Sequence, residues 1–246
     1  MSFLFLFGIA FGASIANSVV GGGTFLTFPA LVLAGVPPVV ANATSSVALT
    51  PGVFASGFAY RDDLKRLAGL LDLRWIFAVS LAGGLLGALL LTHTPDRIFL
   101  ALAPWLLLFA TLLFTFGRPV NGWLRKRVRL GQAGVFAIQF LIGIYGGYFG
   151  AGIGILILAL LGVYGLSDLS AMNGLRTLLA ASMNLVAIPA FILGGIIDWP
   201  DGLVMAVAAI LGGYAGAAVA RRMKPAHLRP VMVGLAWAMT LYFFLR

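Results

Sequence analysis

The 246-residue chain contains no cysteine and no glutamate, only two histidines, and few charges of any kind. Without cysteine there are no disulfides and no thiolate chemistry, and redox compartment leaves no mark on the sequence. The acidic residues are all aspartates (Asp62, Asp63, Asp72, Asp96, Asp168, Asp198 and Asp201), and none falls inside an apolar stretch. That leaves no obvious carboxylate relay for protons and no membrane-buried acidic site for a cation. His93 and His227 both sit at segment ends beside polar links, where a solvated histidine is ordinary. Charged residues make up 9% of the chain, against about 25% in a soluble domain. At 61% hydrophobic and a mean hydropathy of +1.07, this is an integral membrane protein. With roughly 20 apolar residues per span, the length allows about eight to ten segments and no sizeable soluble domain.

Glycine and clustered basic residues are what the chain does have. Its 32 glycines suit close helix packing and broken helices in lipid. The net charge of +9 is not a nucleic-acid signature, because most of the 16 Lys and Arg fall in three short links. These are Arg61, Lys65, Arg66 and Arg74; Arg118, Arg125, Lys126, Arg127 and Arg129; and Arg221, Arg222, Lys224 and Arg229. Such clustering places the links 60–74, 117–130 and 221–229 in the cytoplasm, with contact to acidic lipid headgroups as a secondary effect. The N-terminal run lacks the basic start of a signal peptide and reads as a retained first membrane segment.

Hydropathy divides the chain into segments near 2–16, 24–36, 39–59, 75–92, 97–116, 131–149, 150–164, 171–193, 202–220 and 228–245. The second and seventh are short and interrupted by Pro29 or by glycines, so whether they cross the membrane or re-enter is left open. The halves look like copies. Gly21, Gly23, Asn42 and Ser46 have counterparts Gly152, Gly154, Asn173 and Thr177, each 131 positions later. Gly83-Gly84-x-x-Gly87-Ala88 recurs as Gly212-Gly213-x-x-Gly216-Ala217, each 129 later. Residues 1–117 and 131–246 are therefore expected to be two transmembrane repeats, joined by a basic cytoplasmic linker at 118–130. With the basic links inside, an odd number of segments per half inverts the second repeat and places both termini on the periplasmic side. The expected fold is all-α and membrane-embedded, with two inverted-topology repeats of about five hydrophobic segments each. Short broken or re-entrant pieces are expected near Gly21–Gly23 and Gly150–Gly154. In such folds matching broken segments point to a transporter's binding site.

The chain is organised around Asn17–Pro51, where Gly21-Gly22-Gly23, Pro29 and Ala41-Asn42-Ala43-Thr44-Ser45-Ser46 follow one another. In the second half come Gly150-Ala151-Gly152-Ile153-Gly154, then Ala171-Met172-Asn173-Gly174-Leu175-Arg176, with Asn184 downstream. In this duplicated order the chain resembles the TauE/SafE sulfite exporter family of bacterial membrane permeases over nearly its whole length. The second glycine run departs from the first by carrying Ala151 and Ile153 between its glycines. The resemblance implies transport of sulfite or a small organic sulfur anion such as a sulfonate, usually outward, across the bacterial inner membrane. It does not fix which anion.

Arg176 is the sharpest single residue, lying near the start of an apolar segment and far from the basic links. Its planar fork matches the oxygens of sulfite, sulfonate or carboxylate. The alternatives are pairing with Asp168 or snorkelling to the outer surface as a helix-end anchor. Gly21, Gly22, Gly23, Gly152 and Gly154 are expected to let half-helix N-termini approach an anion; tight helix packing is their other use. Asn17, Ser18, Asn42, Thr44, Ser45, Ser46, Asn173 and Asn184 could donate to a small oxyanion or bond helix to helix. Of these, Asn42 and Asn173 stand out because the repeat pairs them. Tyr145 and Tyr148 are more readily aromatic packing than gates. No metal or organic cofactor is expected, and the partners are a small anion and membrane lipid. Two other functions compete with an anion permease. One is an anion channel or a non-transporting assembly factor. The other is a membrane-embedded hydrolase using Ser45 or Ser46, which lacks a base placed beside either serine.

Overall fold

The computed structural model describes residues 3–19, 22–58, 71–127, 130–220 and 225–245, and within them the chain is helical, with no strand. In order the helices are α1 (Phe3–Val19), α2 (Thr24–Leu33), α3 (Pro38–Phe58), α4 (Leu73–Thr92), α5 (Asp96–Arg127), α6 (Gln132–Tyr148), α7 (Ile153–Tyr164), α8 (Leu169–Leu193), α9 (Trp199–Ala220) and α10 (Pro225–Leu245). Gly21, residues 60–70 of the first basic link and residues 221–224 of the third lie outside the described residues.

Local chemistry sets the helix ends. Asp72 accepts from Arg74 N at 3.1 Å and starts α4, and Asp168 accepts from Ser170 N and Ala171 N at 3.0 and 3.1 Å and starts α8. These are side-chain N-caps, each satisfying backbone donors that the first turn leaves free. The 12-residue α7 is bounded by Gly152 (φ +75°) and Gly165 (φ +109°), in a left-handed conformation that other residues rarely adopt.

The helices are turned inside out relative to a soluble protein. On α4, Gly83, Gly84, Gly87 and Ala88 are buried while Leu81, Leu85, Leu86, Leu89 and Leu90 are exposed. On α9, Met205, Ala208 and Ala209 are buried while Leu203, Val207, Ile210 and Leu211 are exposed. Leucine facing outward and glycine inward is the pattern expected when the surroundings are lipid. Among the described residues, three helical stretches are long and apolar enough to cross a membrane: Leu73–Thr92, Asp96–Gly117 and Leu169–Leu193.

The expected link after residue 117 takes a different form. α5 continues through it to Arg127, despite Pro119. Hydropathy falls where the helix leaves the apolar layer, but the backbone ladder continues, and Arg127 stacks over Trp123 one turn earlier, 4.8 Å from the ring centroid.

The two most extensive helix interfaces, α1 on α9 and α4 on α6, are glycine-mediated. Gly83 lies against the Phe140 carbonyl and Gly87 against that of Ile144. In the other pair Gly212 lies against the Phe11 carbonyl and Gly216 against Ile15. A Cβ at any of these four glycines would collide with the facing backbone. Each contact of the first pair recurs in the second with both partners shifted by 129. α5 and α10 meet through Thr111 and Thr240, also 129 apart, whose hydroxyls share a 2.9 Å hydrogen bond.

The short helices return toward where their predecessors began. Gln132, first residue of α6, donates to the hydroxyl of Tyr164, last residue of α7, at 3.4 Å. On the opposite face the start of α3 meets the α4–α5 turn through Val39 N and Asp96 Oδ1, 3.0 Å apart. α2 is anchored by Phe28, fully buried among Phe99, Phe149 and Phe243.

Candidate functional site

Two four-residue breaks, between α1 and α2 and between α6 and α7, converge on one cavity. Its volume is about 70 Å³, room for several waters at roughly 10–15 Å³ each, or for one small oxyanion. The first break and its flanks contribute Asn17, Ser18, Gly22 and Thr24; the second contributes Gly150, Gly152, Ile153 and Gly154. α3 adds Ser46, Leu49 and Val53, and α8 adds Arg176, Thr177, Ala180 and Asn184. The α3 and α8 residues sit at i, i+3 and i+7, one helix face. Ser46 and Thr177, Leu49 and Ala180, and Val53 and Asn184 are each 131 apart, so α3 and α8 line the cavity with positions at one constant spacing.

Arg176 is the one buried arginine among the described residues, 7% exposed. It stands eight residues into α8, about 10 Å from its start at 1.5 Å per residue. Its side chain lies along Gly154, where a Cβ would sit 3.2 Å from Cδ and 3.4 Å from Nη1. The Asp168 carboxylate, eight residues earlier in the sequence, caps α8. Gly22 (φ +92°) and Gly152 hold left-handed backbone, and the Tyr145 hydroxyl fixes the second break by donating to Ala151 O at 2.7 Å. Gly23 N donates to Asn17 Oδ1 at 3.3 Å, tying the first break to the end of α1.

Of the residues singled out by sequence, Arg176, Asn17, Ser18, Gly22, Ser46, Gly152 and Asn184 line this cavity. Asn42, Asn173, Gly23, Thr44 and Ser45 are engaged elsewhere. Asn42 Nδ2 donates to Tyr148 O at 2.8 Å, and Asn173 Nδ2 donates to Leu169 O at 2.8 Å. Thr44 Oγ1 accepts from Asp198 N at 2.9 Å, and the Ser45 and Thr27 hydroxyls share a 2.6 Å bond. Gly23 is the N-cap of α2. The equivalence at the breaks also differs from the sequence pairing. The two N-caps, Gly23 and Gly152, are 129 apart, because α7 is two residues longer than α2 and moves the spacing to 131 only afterwards.

The family model for the sulfite exporter TauE/SafE matches residues 6–243. The chain belongs to the TauE/SafE sulfite exporter family. A probable membrane transporter protein of Haemophilus influenzae is 32% identical over 238 residues, covering 96% of this chain and 91% of its own. A second, ORF9 of a Sinorhizobium species, is 32% identical over 243 residues, covering 96% and 90%. The probable membrane transporter protein YfcA of Escherichia coli K12 is 28% identical over 229 residues, covering 93% and 84%. No solved structure matches.

In this TauE/SafE member the cavity combines one guanidinium, neutral hydroxyl and amide groups, and the starts of two short helices whose dipoles favour negative charge. Leu49, Val53, Ala180 and Ile153 are apolar lining residues that sequence reasoning did not single out. The signal for it was present: stepping three and seven residues on from Ser46 and Thr177 reaches both walls.

Proposed function

We propose that this TauE/SafE member is a permease that exports a small sulfur-containing anion, sulfite or a sulfonate such as sulfoacetate, by alternating access. The observation that carries the reading is buried Arg176 in a small cavity where both helix breaks meet. A buried guanidinium in lipid is expensive and marks a substrate path by default. An anion lying against it would accept two parallel N–H bonds, while Asn184 and Ser46 donate to its remaining oxygens.

The recurrence of the α4–α6 contacts in α1–α9 at a constant spacing supports two structurally equivalent halves. The α2–α3 turn meets the α4–α5 turn, whereas α7 ends beside the start of α6, which follows the basic link. Equivalent turns on opposite faces favour inverted repeats, with α1–α2 and α6–α7 as re-entrant hairpins entering from the two sides. With the basic links in the cytoplasm, both termini are periplasmic. A monoanion gains about 2.3 kcal/mol per 100 mV on leaving a negative interior, so voltage alone drives export.

Counterflow in proteoliposomes tests this, with sulfite, sulfoacetate, taurine, thiosulfate, sulfate and acetate as trans substrates. Exchange of one or two sulfur anions is expected, lost in Arg176→Ala and weakened in Arg176→Lys, which keeps charge but not the fork. Exchange that survives unchanged in Arg176→Ala removes Arg176 from the path. Unitary currents without counterflow would replace the carrier by a channel.

A further inference from the structure

Asn42 and Asn173 are each the fifth residue of the helix that follows a short broken segment, α3 and α8 respectively. The structure nevertheless uses them differently. Asn42 is 1% exposed and reaches across to the second half, where Nδ2 donates to the carbonyl of Tyr148. Tyr148 is the last residue of α6, so its C=O is one of the four carbonyls that a helix end leaves without an intrahelical partner. At membrane depth a donor for it must come from another part of the protein. Asn173 instead folds back on its own helix and donates to Leu169 O, one turn earlier, and its side chain is partly exposed. The carbonyl equivalent to that of Tyr148 is that of Val19, the last residue of α1, by the spacing of 129 that relates Thr111 to Thr240.

We infer that Asn42 and Asn173 are reciprocal latches. In the present state Asn42 holds the end of α6 and Asn173 is folded back; in the opposite state Asn173 holds Val19 O and Asn42 folds back onto Pro38 O. The inference rests on the alternating-access reading and adds which bond holds each state. Both asparagines donate one amide–carbonyl bond in either state, so the exchange conserves hydrogen bonds. Substrate and voltage can then tip the balance between two states close in energy. The present latch also has an internal bias against it: Asn42 Oδ1 is buried with no hydrogen-bond partner, an unmet acceptor that release would let water or a neighbour satisfy. Further bonds on the same face hold this state. Asp198 N donates to Thr44 Oγ1, and the Tyr148 hydroxyl donates to Thr94 Oγ1 at 3.3 Å. Both join the first half to the second.

Because the chain has no cysteine, one introduced thiol is a unique reporter. Ala180→Cys places it in the cavity wall, and a charged, membrane-impermeant thiol reagent is applied to either face of oriented vesicles. The reference protein is expected to label faster from the face opposite the α4–α5 turn. Asn42→Ala should shift labelling several-fold toward the turn face, and Asn173→Ala should shift it the other way. Asn173 is partly exposed, so its variant carries the test alone if loss of buried Asn42 prevents folding. A protein that exchanges substrate but whose face ratio ignores both variants, or moves the same way in both, overturns the latch. A reference that labels equally from both faces and shows no counterflow overturns the carrier reading beneath it.

Discussion

Replacing Gly87 by alanine drives a methyl group into the backbone of α6. An ideal Cβ there overlaps the Ile144 carbonyl oxygen and lies 2.8 Å from Tyr148 N. Ordinary contact needs about 3.5 Å, so α4 and α6 must part by roughly 0.7 Å or more. The obstructing atoms are backbone and cannot rotate away. A gap of about 0.5–1 Å forfeits a quarter to a half of the dispersion well for each pair that separates. Overpacking costs about 1–3 kcal/mol, and backbone against backbone belongs at the top of that range. Alanine's better helix propensity returns about 1 kcal/mol, which leaves a net loss of about 2 kcal/mol. At roughly 2–4 °C per kcal/mol for a chain of this size, the detergent-solubilised protein should lose about 4–8 °C in Tm. Gly216→Ala, whose Cβ would lie 2.8 Å from Ile15 Cα, should lose a similar amount. Gly8→Ala and Gly12→Ala, with nothing within 4 Å, should be neutral or slightly stabilised. The assay is the monodisperse fraction on size-exclusion chromatography after graded heating. A Gly87→Ala protein as stable as the wild type, or a Gly12→Ala protein as damaged as Gly87→Ala, would refute the interlocked-backbone account.

At Gly152 a Cβ has room, 3.6 Å from its nearest neighbour, so the constraint there is φ +75° alone. Gly152→Asn should therefore keep most counterflow activity while Gly152→Val loses most of it, since asparagine tolerates left-handed backbone and β-branched residues do not. Gly154→Ala pushes on Arg176 by a few tenths of an ångström, and is expected to raise the half-saturating substrate concentration several-fold with little change in Tm. Equal losses of Tm and affinity would assign Gly154 to packing instead. Thr111→Val and Thr240→Val should each cost about 0.6 kcal/mol, the usual worth of a hydroxyl bond between membrane helices. The double variant should cost less than their sum, and strict additivity would deny the shared bond.

Segment order was readable in the sequence in part because several helix ends carry their own marker. Asp72 and Asp168 cap α4 and α8, and glycines bound α7. The glycine faces of α4 and α9 were readable too, since their repeat survives at a constant 129. What lines the cavity was less legible. Thr44, Ser45 and Ser46 are adjacent, but each residue turns about 100° around a helix, so Ser46 borders the cavity while its two neighbours bond Asp198 and Thr27. Composition marks all three as polar; only the helix phase, fixed by packing, separates them. The end of α5 was hidden for another reason. Hydropathy reports the edge of the apolar layer, and the hydrogen-bond ladder does not stop there.

The cavity breaks the symmetry of the frame around it. Ser46 and Thr177 match across the two walls, and both are hydroxyls. One step back, Arg176 has Ser45 as its counterpart at the same spacing of 131, and Asn184 has Val53. A symmetric pair of arginines would place two cations beside about 70 Å³ of space, with strong mutual repulsion at low effective dielectric. A single guanidinium avoids that repulsion and leaves the charge on α8 alone, with Leu49 and Val53 on α3. On the proposed reading, such a site holds one monoanion in one orientation. Its head lies toward α8 and any carbon substituent toward Leu49 and Val53. On the same reading, duplicated halves would supply the movement, and divergence between them at positions 176 and 184 the chemistry.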